Sequence, residues 1–260
     1  MIKWWINDSF DEGCRLEGGK IMTKIWAHRG ASQDAPENTM EAFALAVEQQ
    51  ADGIETDVHM TRDGVVVIMH DETLDRTTDK QGNLKDWDYA DLLSVNANNH
   101  RKDYPFCHIP RLEELLALVK ENHLELNIEL KTDVYAYKGI EAKVVSLVKA
   151  YGLEDQVIYS SFNHYSLMCL RQIEPTSKIG LLYMEGLYEP WKYATALKAD
   201  ALHPYYHCLN IPSYVNKCHH LGIAVHPWTI NDERTAKKLM NMGVDALITN
   251  VPAKLVALKK

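Results

Sequence analysis

The chain has 260 residues, 46% of them hydrophobic, which is enough to bury the core of one large domain or of two smaller ones. Its formal net charge of -8 argues against nucleic acid as a partner, and no apolar run approaches the roughly 20 residues that cross a bilayer. The five cysteines are odd in number and form no CxxC motif, so neither a disulfide framework nor a zinc site is predicted. We therefore expect a cytoplasmic protein without stable membrane insertion.

The first 21 residues show no hydrophobic periodicity, and the regular pattern begins only after them. We predict that residues 1–21 form an extension outside the fold and that residues 22–260 form a single domain. The triplet Glu17-Gly18-Gly19 stands shortly before Met22 and can be coded by the purine-rich bases of a bacterial ribosome-binding site. We therefore interpret Met22 as the natural translation start, which mass spectrometry of the native protein would test.

Segments typical of β-strands alternate with segments typical of helices along the rest of the chain. The eight predicted strands span residues 24–27, 53–60, 126–130, 157–160, 179–183, 201–203, 224–228 and 246–249. The predicted helices include residues 39–50, 112–121, 140–151, 232–242 and a short one at 252–259. Eight βα units in a chain of this length favour a (β/α)8 TIM barrel. The alternative, a Rossmann-like open sheet, is weaker because no GxGxxG motif follows the first strand.

The stretch "HMTRDGVVVIMHD" interrupts this alternation with an antiparallel strand. Only residues 61–64 separate two strand-like runs, whereas a parallel crossover needs a dozen or more residues. Because Asp63-Gly64 is a strong turn signal, residues 65–69 are predicted to return as a β-hairpin. The following residues 71–110 hold turns and few regularly spaced apolar residues, so we predict a small capping insertion over the barrel mouth.

Two carboxylates on the second strand, Glu55 and Asp57, share one face of that strand and stand about 7 Å apart. A hairpin with a two- or four-residue turn places His70 opposite Asp57 or Glu55, so all three side chains are expected on the same face. Such a carboxylate pair is more often a solvated strand face, but here the face points into the barrel mouth. Like charges this close need a cation between them.

Further polar residues end neighbouring strands at the same rim. Glu129 ends the third parallel strand and His28 ends the first. Three carboxylates suit a hard divalent cation bound through oxygen, Ca²⁺ or Mg²⁺. Histidines on either side of such a metal suit acid–base chemistry near neutral pH, so His28 and His70 are the candidate pair.

The motifs in this order resemble the glycerophosphodiester phosphodiesterase family. The matching stretches are "AHRGASQDAPENTMEAF", "GIETDVHMTRDGVVVIMHDETLDRTTDKQG", "NIELK" and "VHPWTINDERTAKKLMNMGVDALITNVP". The resemblance runs from about residue 24 to the end of the chain, and its motifs are most specific in the first half. One departure is Thr56, where many relatives have a hydrophobic residue, but it is expected to face away from the metal.

By matching position, the resemblance implies the same three metal ligands and the same acid–base pair: Glu55, Asp57, Glu129, His28 and His70. It further implies that Arg29 and Lys131 contact the phosphate and that Asn38 lies near the metal or the substrate. The alternative interpretation of Arg29 is an ion pair with Glu37 or Asp57, which is compatible with a phosphate contact. Lys131 is otherwise a plain surface lysine.

Three ring-bearing residues lie at the ends of later predicted strands. Trp228 is interpreted either as a core residue or as a wall for the glycerol moiety. His203 and His226 are interpreted as pocket lining or as a polar rim, without a catalytic role.

The resemblance implies metal-dependent hydrolysis of glycerophosphodiesters, such as glycerophosphocholine or glycerophosphoethanolamine, to sn-glycerol 3-phosphate and an alcohol. The predicted partner is this small-molecule phosphodiester, and whether the chain forms a homodimer stays open. One alternative keeps the chemistry and changes the substrate to a lysophospholipid, although no basic amphipathic helix is evident for membrane docking. Another is a non-catalytic barrel that binds phosphorylated polyols. Which histidine is the acid, and whether water or the glycerol 2-hydroxyl is the nucleophile, also stays open.

Overall fold

Residues 22–259 are described by a computed structural model, in which parallel strands surround one axis and helices cover them. The strands are β1 (Lys24–His28), β2 (Gly53–Met60), β3 (Val66–Ile68), β4 (Glu125–Leu130), β5 (Val157–Ser161), β6 (Lys178–Tyr183), β7 (Ala201–Pro204), β8 (Ala224–Val225) and β9 (Ala246–Thr249). The parallel strands neighbour one another in the order β8-β7-β6-β5-β4-β2-β1-β9. The short strand β3 pairs with β2 in the antiparallel direction, as the hairpin prediction requires.

Backbone hydrogen bonds between the two ends of this order close the barrel. The amide of Asp245 donates to the carbonyl of Val225 at 3.0 Å, and the amide of Ile248 donates to that of Pro227 at 3.1 Å. The helices are α1 (Met40–Glu48), α2 (Tyr89–Leu92), α3 (Leu112–Asn122), α4 (Ile140–Tyr151), α5 (His164–Ile173), α6 (Pro190–Leu197), α7 (Tyr214–His220), α8 (Glu233–Asn241) and α9 (Pro252–Val256). The chain is a TIM barrel, which confirms the predicted fold class.

The predicted parallel strands are all present, and most of their bounds differ by a residue or less. The largest difference is β8, predicted over residues 224–228, which ends at Val225. Pro227 has no amide hydrogen to donate, so the regular ladder stops before it. The chain still continues beside β7, because the amide of Trp228 donates to the carbonyl of Pro204 at 3.2 Å.

Apolar side chains fill both sides of the barrel wall. Between strands and helices lies a continuous core that includes Ile54, Phe43 and Leu126, all fully buried. Inside the barrel, a separate cluster forms from residues that alternate with these along the strands, among them Trp26 and Ile248. The strands are therefore buried on both faces, as expected where helices cover a parallel sheet.

His203 and His226 lie in this interior, below the carboxyl ends of the strands. Their rings share a hydrogen bond of 2.9 Å between His203 Nε2 and His226 Nδ1. Gly180 on the neighbouring strand makes room for them, since a Cβ there would stand 2.3 Å from His203 Nε2. Both side chains turn inward, and neither lines the pocket at the carboxyl ends of the strands. His226 instead lines a second pocket of about 270 Å³ beside Lys24 and Trp26, so the interpretation as pocket lining or rim is wrong for His203 alone.

The β2–β3 hairpin has a different register from the one expected. Met60 stands opposite Val66, so five residues form the connection instead of two or four. The side chain of Thr61 closes this wider turn with hydrogen bonds inside it. The register shifts by one residue, and an unbroken ladder would place His70 opposite Thr56 and on the wrong face.

Residues 71–110 contain α2, a single 3-10 turn and loops. They pack on the hairpin through a small core of their own: Val67, Met69, Leu74, Leu84, Leu92, Val95, Ala97 and Ile109. The extension at residues 1–21 and the proposed start at Met22 concern a segment outside the described residues, so the predicted domain bounds stay predictions. Among residues 22–259, no helix is long and apolar enough to cross a membrane. The cytoplasmic location and the oligomeric state also stay predictions.

Candidate active site

A pocket of about 230 Å³ opens at the carboxyl ends of the parallel strands. One wall is polar and comes from β1, β2, β4 and the segment after β3: His28, Arg29, Glu55, His70, Asn127 and Glu129. The opposite wall is apolar and comes from β6, β9 and the segments after β5, β6 and β8: Phe162, Leu182, Met184, Trp228 and Ile248. The two candidate acid–base histidines therefore reach the same pocket from different elements.

The three predicted metal-binding carboxylates come together at the polar wall. Strand pairing sets Asp57 beside Glu129, and Glu55 precedes Asp57 on the same face. One oxygen of each carboxylate lies within 4.8 Å of the others, and all three residues are buried. Asp57 Oδ1 has no hydrogen-bond partner within residues 22–259. A buried carboxylate oxygen without a partner, in a set of oxygen donors, fits a hard divalent cation such as Ca²⁺ or Mg²⁺.

Burial and mutual repulsion divide the protonation of these carboxylates. Burial, with the charges of Asp57 and Glu129, raises the pKa of Glu55 well above its usual value. Burial, followed by Asp57, raises the pKa of Glu129 to about 7. Burial acts on Asp57 in the same direction, but the guanidinium of Arg29 and further cationic groups outweigh it and lower the pKa. Asp57 is thus the permanent anion of the cluster, and the other two need a further cation to be fully ionised.

His28 ends β1, and both of its ring nitrogens face polar groups. Its Nδ1 lies 2.6 Å from Asn250 Oδ1 and its Nε2 lies 3.9 Å from Glu55 Oε2. Because an amide oxygen only accepts, Nδ1 carries the proton in the neutral ring, and Nε2 is free to exchange one. Burial, with the neighbouring charge of Arg29, lowers the pKa of His28 to about 4. Asn250 follows β9, far away in sequence, and sequence reasoning did not identify it.

His70 reaches the pocket because the β2–β3 ladder ends two residues before it. Its Nδ1 lies 2.6 Å from Asp71 Oδ1, and its Nε2 lies 3.5 Å from Lys131 Nζ. The carbonyl of His70 accepts a hydrogen bond from His59 Nε2 at 3.1 Å, and His59 in turn contacts the hydroxyl of Tyr137 at 2.9 Å. His70 lies at the same pocket as Glu55 and Glu129, as expected, because the chain leaves the ladder after Ile68. The strand register that was expected to bring it there is wrong.

Arg29 pairs with carboxylates on two sides. Its Nη1 donates to Glu37 Oε1 at 2.8 Å, and its Nε lies 3.4 Å from Asp57 Oδ2. Its backbone amide donates to Glu55 Oε2 at 3.0 Å, and its φ of 57° lets the chain turn out of β1 at this point. The ion-pair interpretation therefore holds for both partners. Arg29 also lines the pocket, and its Nε makes no hydrogen bond within the described residues.

Lys131 is a buried side chain and not a surface lysine. Its Nζ donates to Glu129 Oε1 at 3.0 Å. Burial lowers the pKa of Lys131, but the carboxylates of Glu129 and Asp57 outweigh this effect and raise it above the usual 10.5. Lys131 is therefore charged at neutral pH and stands between the carboxylates and His70.

Asn38 contacts the carboxylate cluster from outside the pocket. Its Nδ2 donates to Asp57 Oδ2 at 2.8 Å, and its Oδ1 accepts from the hydroxyl of Thr56 at 2.9 Å. Thr56 faces away from the carboxylates, as expected, yet it fixes the amide that holds Asp57.

Trp228 belongs to the apolar wall, where its ring meets that of Phe162 edge to face with centroids 5.7 Å apart. Its Nε1 donates to the carbonyl of His203 at 2.9 Å, which ties the wall to the barrel interior. Two further pocket residues were not identified from the sequence: Asn127, which begins the stretch "NIELK" and whose buried Oδ1 has no partner within residues 22–259, and Met184, which lies in a segment without a motif.

The fold and the pocket define a TIM-barrel protein of the enzyme type, with carboxylates, histidines and cations at the carboxyl ends of its strands. The chain belongs to the glycerophosphoryl diester phosphodiesterase family, whose model matches residues 28–254. The resemblance seen in the motifs is thereby confirmed.

Curated and solved relatives agree with this assignment. The chain is 41% identical to a glycerophosphodiester phosphodiesterase of Caldanaerobacter subterraneus subsp. tengcongensis, over 92% of this chain and 98% of that protein. It is 37% identical to one of Bacillus altitudinis, over 92% and 99% of the two chains. Among solved structures, a phosphodiesterase of Oleispira antarctica in complex with the product sn-glycerol-3-phosphate matches with a TM-score of 0.85 and 30% identity, over 91% of this chain and 96% of that one.

Proposed function

We propose that this protein hydrolyses glycerophosphodiesters to sn-glycerol 3-phosphate and an alcohol. The observation that carries the proposal is the meeting of three buried carboxylates, Arg29 and two histidines at one pocket, with Lys131 hydrogen-bonded to Glu129. Family membership and the relative that holds sn-glycerol-3-phosphate support the same substrate class. A pocket of about 230 Å³ is of a size for a small diester.

Glu55, Asp57 and Glu129 would hold one divalent cation, Ca²⁺ or Mg²⁺. When bound, such a cation stabilises the negative charge that develops on phosphate oxygens during cleavage. The residues' own contribution is the preorganised donor set: Asn38 fixes Asp57, the backbone amide of Arg29 fixes Glu55, and Lys131 fixes Glu129.

Arg29 and Lys131 would bind the phosphate. Both are held by carboxylates on one side, so their positions are set before the substrate arrives. A net charge of -8 repels a phosphodiester at long range, and these two local cations offset that repulsion inside the pocket. They also stabilise the additional charge of the transition state.

His28 and His70 would carry the proton transfers. Each ring has its Nδ1 beside an oxygen acceptor, Asn250 for His28 and Asp71 for His70, so each presents Nε2 to the pocket. One Nε2 takes the proton of the nucleophile, which is either water or the glycerol 2-hydroxyl. Attack by water gives sn-glycerol 3-phosphate directly, whereas attack by the 2-hydroxyl gives a cyclic phosphate that water opens in a second step. The other delivers a proton to the leaving alkoxide of the alcohol. Asn127 and the apolar wall with Trp228 bound the remaining space, and Trp228 would contact the glycerol moiety.

The proposal is tested by release of sn-glycerol 3-phosphate from glycerophosphocholine and glycerophosphoethanolamine. We expect activity to disappear with a chelator and to return with Ca²⁺ or Mg²⁺. Asp57→Asn is expected to abolish turnover, while the matched variant Asp88→Asn, which removes a surface carboxylate paired with Arg62, keeps it. Absence of the product with every metal would overturn the proposal. Activity on lysophospholipids that rises with acyl-chain length would instead assign a lysophospholipid as the substrate.

A further inference from the structure

A series of ion pairs connects the insertion at residues 71–110 with both sides of the pocket. The series runs from Arg29 to Glu37, from Glu37 to Arg76, from Arg76 to Asp71 and from Asp71 to His70. Arg29 and His70 line the pocket at its ends, and Arg76 is the central member. Arg76 itself does not line the pocket, so its contacts with the site all pass through the two carboxylates.

The guanidinium of Arg76 holds each carboxylate with two hydrogen bonds. Its Nη1 and Nη2 donate to Glu37 Oε2 and Oε1 at 2.9 and 2.7 Å. Its Nε and Nη2 donate to Asp71 Oδ2 and Oδ1 at 2.7 and 2.9 Å. Paired bonds of this kind fix both the distance and the plane of a carboxylate, which a single bond does not. Arg76 thus sets the orientation of two carboxylates at once.

The Asp71 side of the series acts on the ring of His70. Asp71 Oδ1 accepts from His70 Nδ1 and also from Arg76 Nη2, so the position of this oxygen depends on both neighbours. An acceptor at Nδ1 keeps the ring in the tautomer that presents Nε2. The backbone of His70 is held separately, by the hydrogen bond from His59 to its carbonyl. Loss of Arg76 would therefore free the ring while the backbone stays in place.

The Glu37 side of the series acts on Arg29. Glu37 Oε1 accepts from Arg29 Nη1 and from Arg76 Nη2, so the two guanidinium groups share one carboxylate. The side chain of Glu37 is 15% exposed, whereas that of Arg76 is 45% exposed. Arg76 therefore lies on the solvent side of the Glu37 carboxylate, and Arg29 binds the same carboxylate from the pocket side.

We propose that Arg76 is a positioning residue that orients His70 through Asp71 and Arg29 through Glu37. The proposal rests on the proposed function, because it assigns Arg76 a use only if His70 and Arg29 act on a substrate. Bidentate ion pairs in a network also add stability, so the test measures the melting temperature beside the kinetic constants. The insertion thereby becomes part of the active site without contacting the substrate.

The test compares Arg76→Gln with Arg62→Gln in the full-length protein. Arg62 makes the same kind of forked contact, through Nε and Nη2 to Asp88. Neither Arg62 nor Asp88 lines the pocket, and among the described residues no hydrogen bond or ion pair of the two side chains leads to a residue that does. Arg76→Gln is expected to lower kcat roughly tenfold or more and to raise KM, with a melting temperature close to that of Arg62→Gln. Arg62→Gln is expected to leave both constants unchanged.

Two further variants separate the arms of the series. Asp71→Asn is expected to lower kcat with little change in KM, because His70 is the pocket residue that Asp71 contacts directly. Glu37→Gln is expected to act mainly on KM, because it affects Arg29. In the background of Asp71→Asn, the kcat effect of Arg76→Gln should shrink to less than about twofold, because the two changes break one pathway. Partial unfolding would instead lower kcat in every variant and leave KM unchanged.

A spectroscopic measurement checks the ring directly. The imidazole Nδ1 proton of His70, assigned with His70→Asn, is expected to move or exchange away in Arg76→Gln and to persist in Arg62→Gln. The inference is overturned if Arg76→Gln keeps wild-type kcat, KM and this resonance while His70→Asn is inactive. If His70→Asn itself keeps full activity, the proposed function fails first, and the two failures are thereby distinguishable.

Discussion

Each of the two levels of the barrel interior holds a pair of histidines, and the two pairs have different surroundings. At the lower level, His203 and His226 bond to each other and pack beside Trp26. At the upper level, His28 and His70 each bond to an oxygen acceptor and face the pocket. Burial lowers the pKa of His226 to about 4, and burial with Arg29 does the same to His28. The two pairs therefore differ in their partners and in access to the pocket, since His203 is fully buried whereas the side chain of His70 is 31% exposed.

The largest expected effect is a loss of kcat on mutation of the upper histidine pair but not of the lower pair. His28→Asn and His70→Asn are expected to lower kcat by roughly 10²–10⁴-fold, because each removes a proton-transfer group. His203→Asn is expected to keep kcat close to wild type in the folded fraction. Steady-state kinetics with parallel melting curves measures both effects. Equal losses of kcat at the two levels would contradict the comparison.

The second prediction concerns stability and pH in the absence of metal. Folding raises the pKa of Glu129 from its ordinary 4.5 to about 7, and Glu55 shifts in the same direction. Between these pH values the folded chain binds more protons than the unfolded chain, so this contribution to the free energy of unfolding falls as pH rises. The lowered pKa values of His226 and His28 have the opposite effect between about 4 and 6.5.

Comparing the chain with and without Ca²⁺ or Mg²⁺ removes the contribution of the lower histidine pair, because that pair contributes equally in both cases. We expect the cation to stabilise the folded chain more at about pH 8 than at about pH 5. The difference in the free energy of unfolding should be on the order of a few kcal/mol, and it should appear as a larger increase in melting temperature at the higher pH. Thermal denaturation with a chelator provides the baseline. The same stabilisation at both pH values would speak against a cation at the carboxylates.

The third prediction tests the lower level by packing. Gly180→Ala places a Cβ within 2.3 Å of His203 Nε2, so the ring must shift. Overpacking of this kind lowers the free energy of unfolding by roughly 1–3 kcal/mol. Urea denaturation measures the change, and kcat per folded molecule should stay close to wild type. A matched glycine with open space around it, Gly186, supplies the control variant Gly186→Ala. A loss of kcat without a loss of stability would contradict the structural role of the lower pair.

The smallest expected effect concerns the acceptor of His28. Asn250→Ala removes the oxygen 2.6 Å from Nδ1 and should lower kcat about tenfold, because the ring loses its preferred tautomer. Asn122→Ala, at the exposed end of α3, is the matched amide deletion and should have no effect. An unchanged kcat in Asn250→Ala would show that packing alone orients His28.

Much of this architecture was predictable because it depends on local pattern. Alternating strand and helix segments defined the barrel, and helix α4 has the predicted bounds of residues 140–151. The spacing of Glu55 and Asp57 placed two carboxylates on one strand face, and Asp63-Gly64 indicated the hairpin. The turn length was not predictable, because it depends on how the Thr61 side chain bonds within the connection.

Contacts between distant segments decided the remaining features of the site. Asn250 reaches His28 only because β9 pairs with β1, and no local signal marks that partnership. Lys131 had a surface alternative in the sequence, and burial beside Glu129 removed that alternative. His203 and His226 had the same pattern as rim residues until the inward turn of their side chains gave them each other as partners.

The sequence by itself determined the alternation of elements, the chemical types available at the strand ends and the family to which the chain belongs. These follow from periodicity and motif spacing, which are properties of short stretches. The tertiary structure alone decided which acceptor faces each histidine, which carboxylate stays ionised and how Arg76 joins the insertion to the pocket. These depend on distances and burial, which arise only when the barrel closes and brings separate strands to one rim.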